Sequence, residues 1–142
     1  MKASALAVMM TFTMTTAHAE QWSCQQDVDG FVQNLSVQVE DGQVTAFHYQ
    51  GSTEAFEQQA LSCAMQSVRA EGVEDWDVKG NHTDVSFRGN PRDKVEMVQM
   101  GDTLMINLGK AALYQCSKGA VTAEMISISR DEPWCFGISL RQ

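Results

Sequence analysis

The sequence is short of positive charge. It has 10 Lys and Arg against 18 Asp and Glu, a formal net charge of −8, and only 3 His in 142 residues. Basic residues are scattered and never interleave with aromatics, so nucleic acid is excluded as a partner and anionic lipid is repelled. Closely spaced cysteine pairs are also missing. Without C-x-x-C there is no support for a thioredoxin-type redox centre or for a zinc knuckle. No G-x-S-x-G elbow occurs, which removes the commonest serine-hydrolase signature. Internal repeats, low-complexity tracts and linkers are absent as well, so the chain reads as one domain. Beyond the N-terminus no apolar run approaches the roughly twenty residues of a membrane span.

What is present begins with a leader. Lys2 gives a positive start, residues 3–14 are mostly apolar, and Ala17-His18-Ala19 fits the small-x-small cleavage rule. The expectation is a secretory signal peptide over 1–19, cleaved after Ala19, and one exported domain over 20–142 in the periplasm or outside the cell. Cleavage removes one basic residue and no acidic one, which makes the domain more acidic still. All four cysteines, Cys24, Cys63, Cys116 and Cys135, lie beyond the cut, and an even count in an oxidising compartment reads as two disulfides. If 121–129 is one strand it holds Cys116 and Cys135 about 30 Å apart. That disfavours Cys24–Cys63 with Cys116–Cys135 and leaves the two long-range pairings open.

The most legible stretch is 94–108, KVEMVQMGDTLMINL. Two alternating runs flank Gly101-Asp102, which predicts a hairpin at the centre of a β-sheet. Similar alternation predicts strands over 20–26, 31–40 and 44–49, with a second hairpin turn at Asp41-Gly42, and further strands over 82–88, 121–129 and 135–140. Residues 111–116 lean towards strand. Over 52–71 the texture changes: Phe56, Ala60, Cys63 and Ser67 recur at helical spacing, with Leu61, Met65 and Val68 widening the stripe. The fold expected is α+β, an antiparallel sheet of about six to eight strands with one main helix (about 52–71) packed on it. A β-sandwich or barrel with a helical insertion is the alternative.

For function, the densest acidic stretch is Glu71, Glu74, Asp75, Trp76 and Asp77. A solvated acidic loop is the plain reading, favoured over a calcium site or a pair of catalytic carboxylates, and the stretch is the candidate contact loop for a basic protein or peptide. His48 and His82 are the only histidines beyond the leader available for a hydrolase, and the cysteines are committed to bridges. Met97, Met100 and Met105 would suit a soft metal, but core packing explains them better. No motif calls for a metal or cofactor. Trp22, Trp76 and Trp134 are placed to pack around disulfides or the sheet rim, or, where exposed, to anchor a partner. The layout, an acidic, exported, β-rich domain with cysteines, is similar to that of small periplasmic lysozyme inhibitors. Their S-G-x-x-Y loop is absent, since 109–114 reads Gly109-Lys110-Ala111-Ala112-Leu113-Tyr114. The expected function is non-enzymatic binding of a basic partner. A small hydrolase using His48 or His82, and a structural envelope protein, are the alternatives.

Overall fold

The computed structural model describes residues 18–28, 30–53, 61–117 and 122–141. The leader up to residue 17, the first part of the expected helix (54–60) and the turn at 118–121 lie outside the described residues.

Among the described residues the architecture is mostly β: two antiparallel sheets and one short α-helix, with no barrel. The first sheet holds β1 (Ala19–Val28), β2 (Phe31–Glu40), β3 (Gln43–Thr53) and β4 (Leu61–Val68) in chain order. The second holds β5 (Asp75–Lys79), β6 (His82–Ser86), β7 (Lys94–Met100), β8 (Thr103–Asn107), β9 (Thr122–Ser129) and β10 (Phe136–Arg141), again each beside its neighbour in sequence. The chain thus runs as one meander, crossing between sheets at 69–74. The hairpin of β7 and β8 takes the two central places of the six-stranded sheet, as its alternation predicts.

Period-two patterning explains most of this. On β2, Phe31, Gln33, Leu35, Val37 and Val39 are buried while the residues between them face outward. Val95, Met97, Leu104 and Ile106 do the same for β7 and β8. Asp41 and Gly42 both have positive φ, 49° and 78°, the geometry of a type I′ turn whose twist matches its strands. One register step is irregular. Val39 pairs with Val44 but Gln38 pairs with Ala46, so Thr45 is an extra residue on β3. That bulge brings Val44 and Phe47 to the same buried face despite their odd spacing.

Two expectations are corrected. The segment 61–68 is strand, not helix: β4 pairs with β3 from Val68–Ala46 to Leu61–Thr53. Cys63, Met65 and Ser67 are buried and alternate with exposed Ser62, Ala64, Gln66 and Val68. The apolar spacing here serves both periods, and a neighbouring strand that satisfies every backbone group decides between them. Conversely, residues Gly109–Gln115 form the only α-helix among those described, α1. Its Ala111 and Ala112 pack into the core, and Asn107 Oδ1 accepts from the Gly109 amide at 3.0 Å. The single helix-covered sheet is therefore replaced by two layers.

The inner faces share one core, from Trp22, Leu35, Phe47 and Tyr49 on one side to Val95, Met97, Leu104 and Ile126 on the other. Phe47 meets Trp76 at 6.2 Å and, edge-on, Phe87 at 6.4 Å. Two disulfides fasten the edges of the four-stranded sheet to segments that pair beside them and lead into the other sheet. Cys24 on β1 joins Cys135 just before β10, and Cys63 on β4 joins Cys116 just after α1. They tie opposite edges of the four-stranded sheet to the other layer. Such bridges suit an oxidising, extracytoplasmic setting. No helix among the described residues is long and apolar enough to cross a membrane.

A buried polar chain joins the layers between the bridges. Thr122 Oγ1 on β9 donates to the Tyr49 hydroxyl at 3.1 Å, and that hydroxyl donates to Gln33 Oε1 at 2.9 Å. Gln33 Nε2 donates to Gln26 Oε1, which also accepts from the Gly137 amide at 3.1 Å. Burial pushes the Tyr49 phenol above its ordinary pKa and keeps it a donor. A Cβ at Gly51 would stand 2.8 Å from the Tyr49 hydroxyl, so glycine is needed for this close approach.

Tyr49→Phe should therefore cost about 1–3 kcal/mol by leaving buried Gln33 Oε1 without its donor and Thr122 Oγ1 with the Ala123 carbonyl as its remaining acceptor. A urea titration would show a lower midpoint with an unchanged slope. Asp93 supplies a pH test. Its Oδ2 accepts from Gln115 Nε2 at 2.7 Å, while buried Oδ1 has no partner among the described residues. Burial raises the carboxyl pKa against the opposing Gln115 bond and Arg88 charge. A carboxyl whose folded pKa is raised favours the folded state below its unfolded value, and loses that contribution as pH rises through the folded one. Asp93→Asn should thus match or exceed the parent in stability at pH 7, with the difference shrinking as pH falls into the ordinary carboxylate range.

Candidate functional site

The acidic stretch divides by role. Glu71 ends a 3-10 turn, Arg69–Glu71, and is exposed. Glu74 is half-buried, and its Oε2 accepts from Ser67 Oγ at 2.7 Å. The Trp76 indole N–H donates to the same Ser67 Oγ at 2.9 Å, and its ring lies against Phe47. Because β5 alternates, Trp76 and Val78 turn towards the body of the protein, whereas Asp75 and Asp77 face outward. The structure thus brings Glu74 and Trp76 into an anchor built on Ser67, and presents Glu71, Asp75 and Asp77 on the surface. Asp77 pairs with Lys79 at 3.1 Å; Glu71 and Asp75 have no ion-pair partner among the described residues. β5 is the last strand of its sheet and pairs with β6 alone.

Neighbouring carboxylates are spent differently. Across from Asp77 lies Asp84, and across from Asp84 lies Glu96. Lys94 Nζ reaches Asp84 at 3.2 Å and Glu96 at 3.0 Å, and Lys110 Nζ reaches Glu96 at 2.7 Å. The Lys110 bond, opposed by burial and aided by Lys94, holds the Glu96 carboxyl below its ordinary pKa, and the bonds to Glu96 and Asp84 raise that of Lys94. These lysines neutralise the inner carboxylates and leave the acidic edge to 71–77.

The histidines do not assemble a catalytic constellation among the described residues. His48 is exposed on the outer face of β3, and His82 Nδ1 lies 3.0 Å from Asn81 Oδ1. All four cysteines are bonded. No group of three or more His, Cys, Asp or Glu among the described residues is placed to hold a metal ion. The hairpin methionines separate, with Met97 buried and Met100 exposed on the opposite face.

One concavity was not legible in the sequence. At one end of the two layers, the turns at 41–42, 80–81 and 101–102 surround a cleft of about 630 Å³ floored by Trp22, Val44 and Leu104. Arg130 lines it as well, bonding Glu20 at 2.7 Å and approaching Asp102 at 3.6 Å. The three glycine-bearing turns are visible in the sequence; that they share one end follows from strand count and order.

These placements predict different costs. Trp76→Ala removes a ring packed on Phe47 and a donor to buried Ser67, and should destabilise by about 2–4 kcal/mol. Asp75→Ala and Asp77→Ala should each stay within about 0.5 kcal/mol of the parent in the same denaturant titration. No family model, curated protein or solved structure matches the chain, so the reading rests on this geometry.

Proposed function

We propose that this protein is a non-enzymatic binding module which, once the leader is removed after Ala19, acts in the periplasm or outside the cell and engages a basic protein or peptide through the edge at 71–77. The observation that supports the reading most is the combination on β5. Exposed Asp75 and Asp77 project from a strand held in place by Trp76, at the open end of the six-stranded sheet, beside exposed Glu71. An extended basic segment laid along β5 would gain main-chain hydrogen bonds and meet carboxylates at alternate positions. The net charge of −8 would speed the encounter. Absent a partner, the same carboxylates protect the edge from pairing with another copy.

With an oligo-lysine peptide as probe, binding should weaken steeply with salt, because exposed charges beyond roughly 10 Å are screened at 0.1 M. The triple variant Glu71→Gln, Asp75→Asn, Asp77→Asn should bind at least about tenfold more weakly at low salt. Replacing His48 and His82 by Ala should leave binding unchanged. Affinity that ignores salt, or survives the triple variant, would contradict the proposal.

A further inference from the structure

The outer face of the four-stranded sheet differs in kind from the rest of the surface. One residue in five is charged in the whole chain, yet β1 to β4 contain no Lys or Arg. Their outward carboxylates are Asp27 and Glu40, at opposite ends of the face. Between them the registers line up neutral polar groups. One row crosses the strands as Gln25, Asn34 and Gln50, and the next as Ser23, Ser36, His48 and Gln66. Among the described residues, none of these side chains makes a hydrogen bond within the protein. Their donors and acceptors therefore face solvent.

The first row continues beyond β1. Residues 133–135 run alongside that strand, with the Gln25 amide donating to the Pro133 carbonyl at 2.9 Å and Trp134 paired opposite Gln25. Opposed residues on neighbouring strands share a face, and Cys135, the next residue, turns inward to Cys24. The Trp134 indole therefore lies on the outer side, in line with Gln25, Asn34 and Gln50, and is 63% exposed. An exposed Trp on a segment fixed by a disulfide and two backbone bonds is a placed platform. Two shallow hollows of about 470 and 240 Å³ lie along the face and share Ser36 and His48; Pro133 borders the larger.

We propose that this face binds an uncharged oligosaccharide. Strands about 4.8 Å apart set the polar groups at a pitch close to the length of one pyranose ring. A sugar offers C–H-rich patches that stack on an indole, and hydroxyls that donate and accept as amides do. An uncharged ligand meets no ionic group whose hydration would have to be stripped, which a face without charges in its middle is suited to. The inference is independent of the acidic edge, which lies on the other sheet.

The test is titration of the oxidised protein, lacking the leader, with cellohexaose, chitohexaose and maltohexaose, followed by calorimetry and by amide chemical shifts. At least one should bind saturably, with shifts centred on Gln25, Asn34, His48 and Gln50. Trp134→Ala should weaken it by roughly tenfold and Trp134→Phe should restore most of the loss. Gln50→Ala should weaken it severalfold, and the Glu71, Asp75 and Asp77 triple variant should bind the sugar normally. No saturable binding of any of the three sugars would overturn the proposal. So would binding indifferent to Trp134→Ala, or association of copies through this face in place of sugar binding.

Discussion

The structure depends on two covalent ties between its layers. A four-stranded and a six-stranded meander can each form locally, but neither buries its apolar face until they meet. Cys24–Cys135 and Cys63–Cys116 span 111 and 53 residues of sequence and fix opposite edges of the smaller sheet to the larger. On a chain-entropy account, loops of that size remove about 4 to 5 kcal/mol each from the freedom of the unfolded state. Between the ties, the hydrogen-bonded chain from Thr122 through Tyr49 and Gln33 to Gln26 sets how the faces register. Apolar packing alone would permit sliding; a buried, fully partnered polar chain does not.

These ties also place the functional surfaces. The Cys24–Cys135 bridge holds Trp134 beside β1, and the Cys63–Cys116 bridge fixes β4, whose Ser67 anchors Glu74 and Trp76 under the acidic edge. Charge is divided accordingly. Lysines sit among the carboxylates of the larger sheet, while the outer side of the smaller one is left neutral in its middle.

Much of this was readable from residues. The alternation of Val95, Met97, Leu104 and Ile106 locates the central hairpin, Asp41-Gly42 locates another turn, and the length of β9 argues correctly that Cys116 and Cys135 belong to different bridges. What failed did so where one pattern serves two periods. Leu61, Met65 and Val68 satisfy a helix, while Cys63, Met65 and Ser67 satisfy a strand, and only β3 as a neighbour decides. Residues 109–115 are too few to show a helical period that would overrule their strand neighbours, yet α1 forms with Ala111 and Ala112 in the core. Within the acidic stretch, the division between anchoring Glu74 and Trp76 and exposed Asp75 and Asp77 needs Ser67 as a partner, eight and more residues away from the two aspartates. The neutral face is legible only once registers are known, since its residues come from four strands.

The most direct test of this account is the disulfide map of the oxidised protein, read by mass spectrometry of peptides released under non-reducing conditions. It predicts one peptide pair joined through Cys24 and Cys135 and another through Cys63 and Cys116, with no free thiol. A pair joined through Cys24 and Cys63, or through Cys24 and Cys116, would contradict it. The two layers would then be tied differently, and neither Trp134 nor the acidic edge would be held where the binding proposals need them.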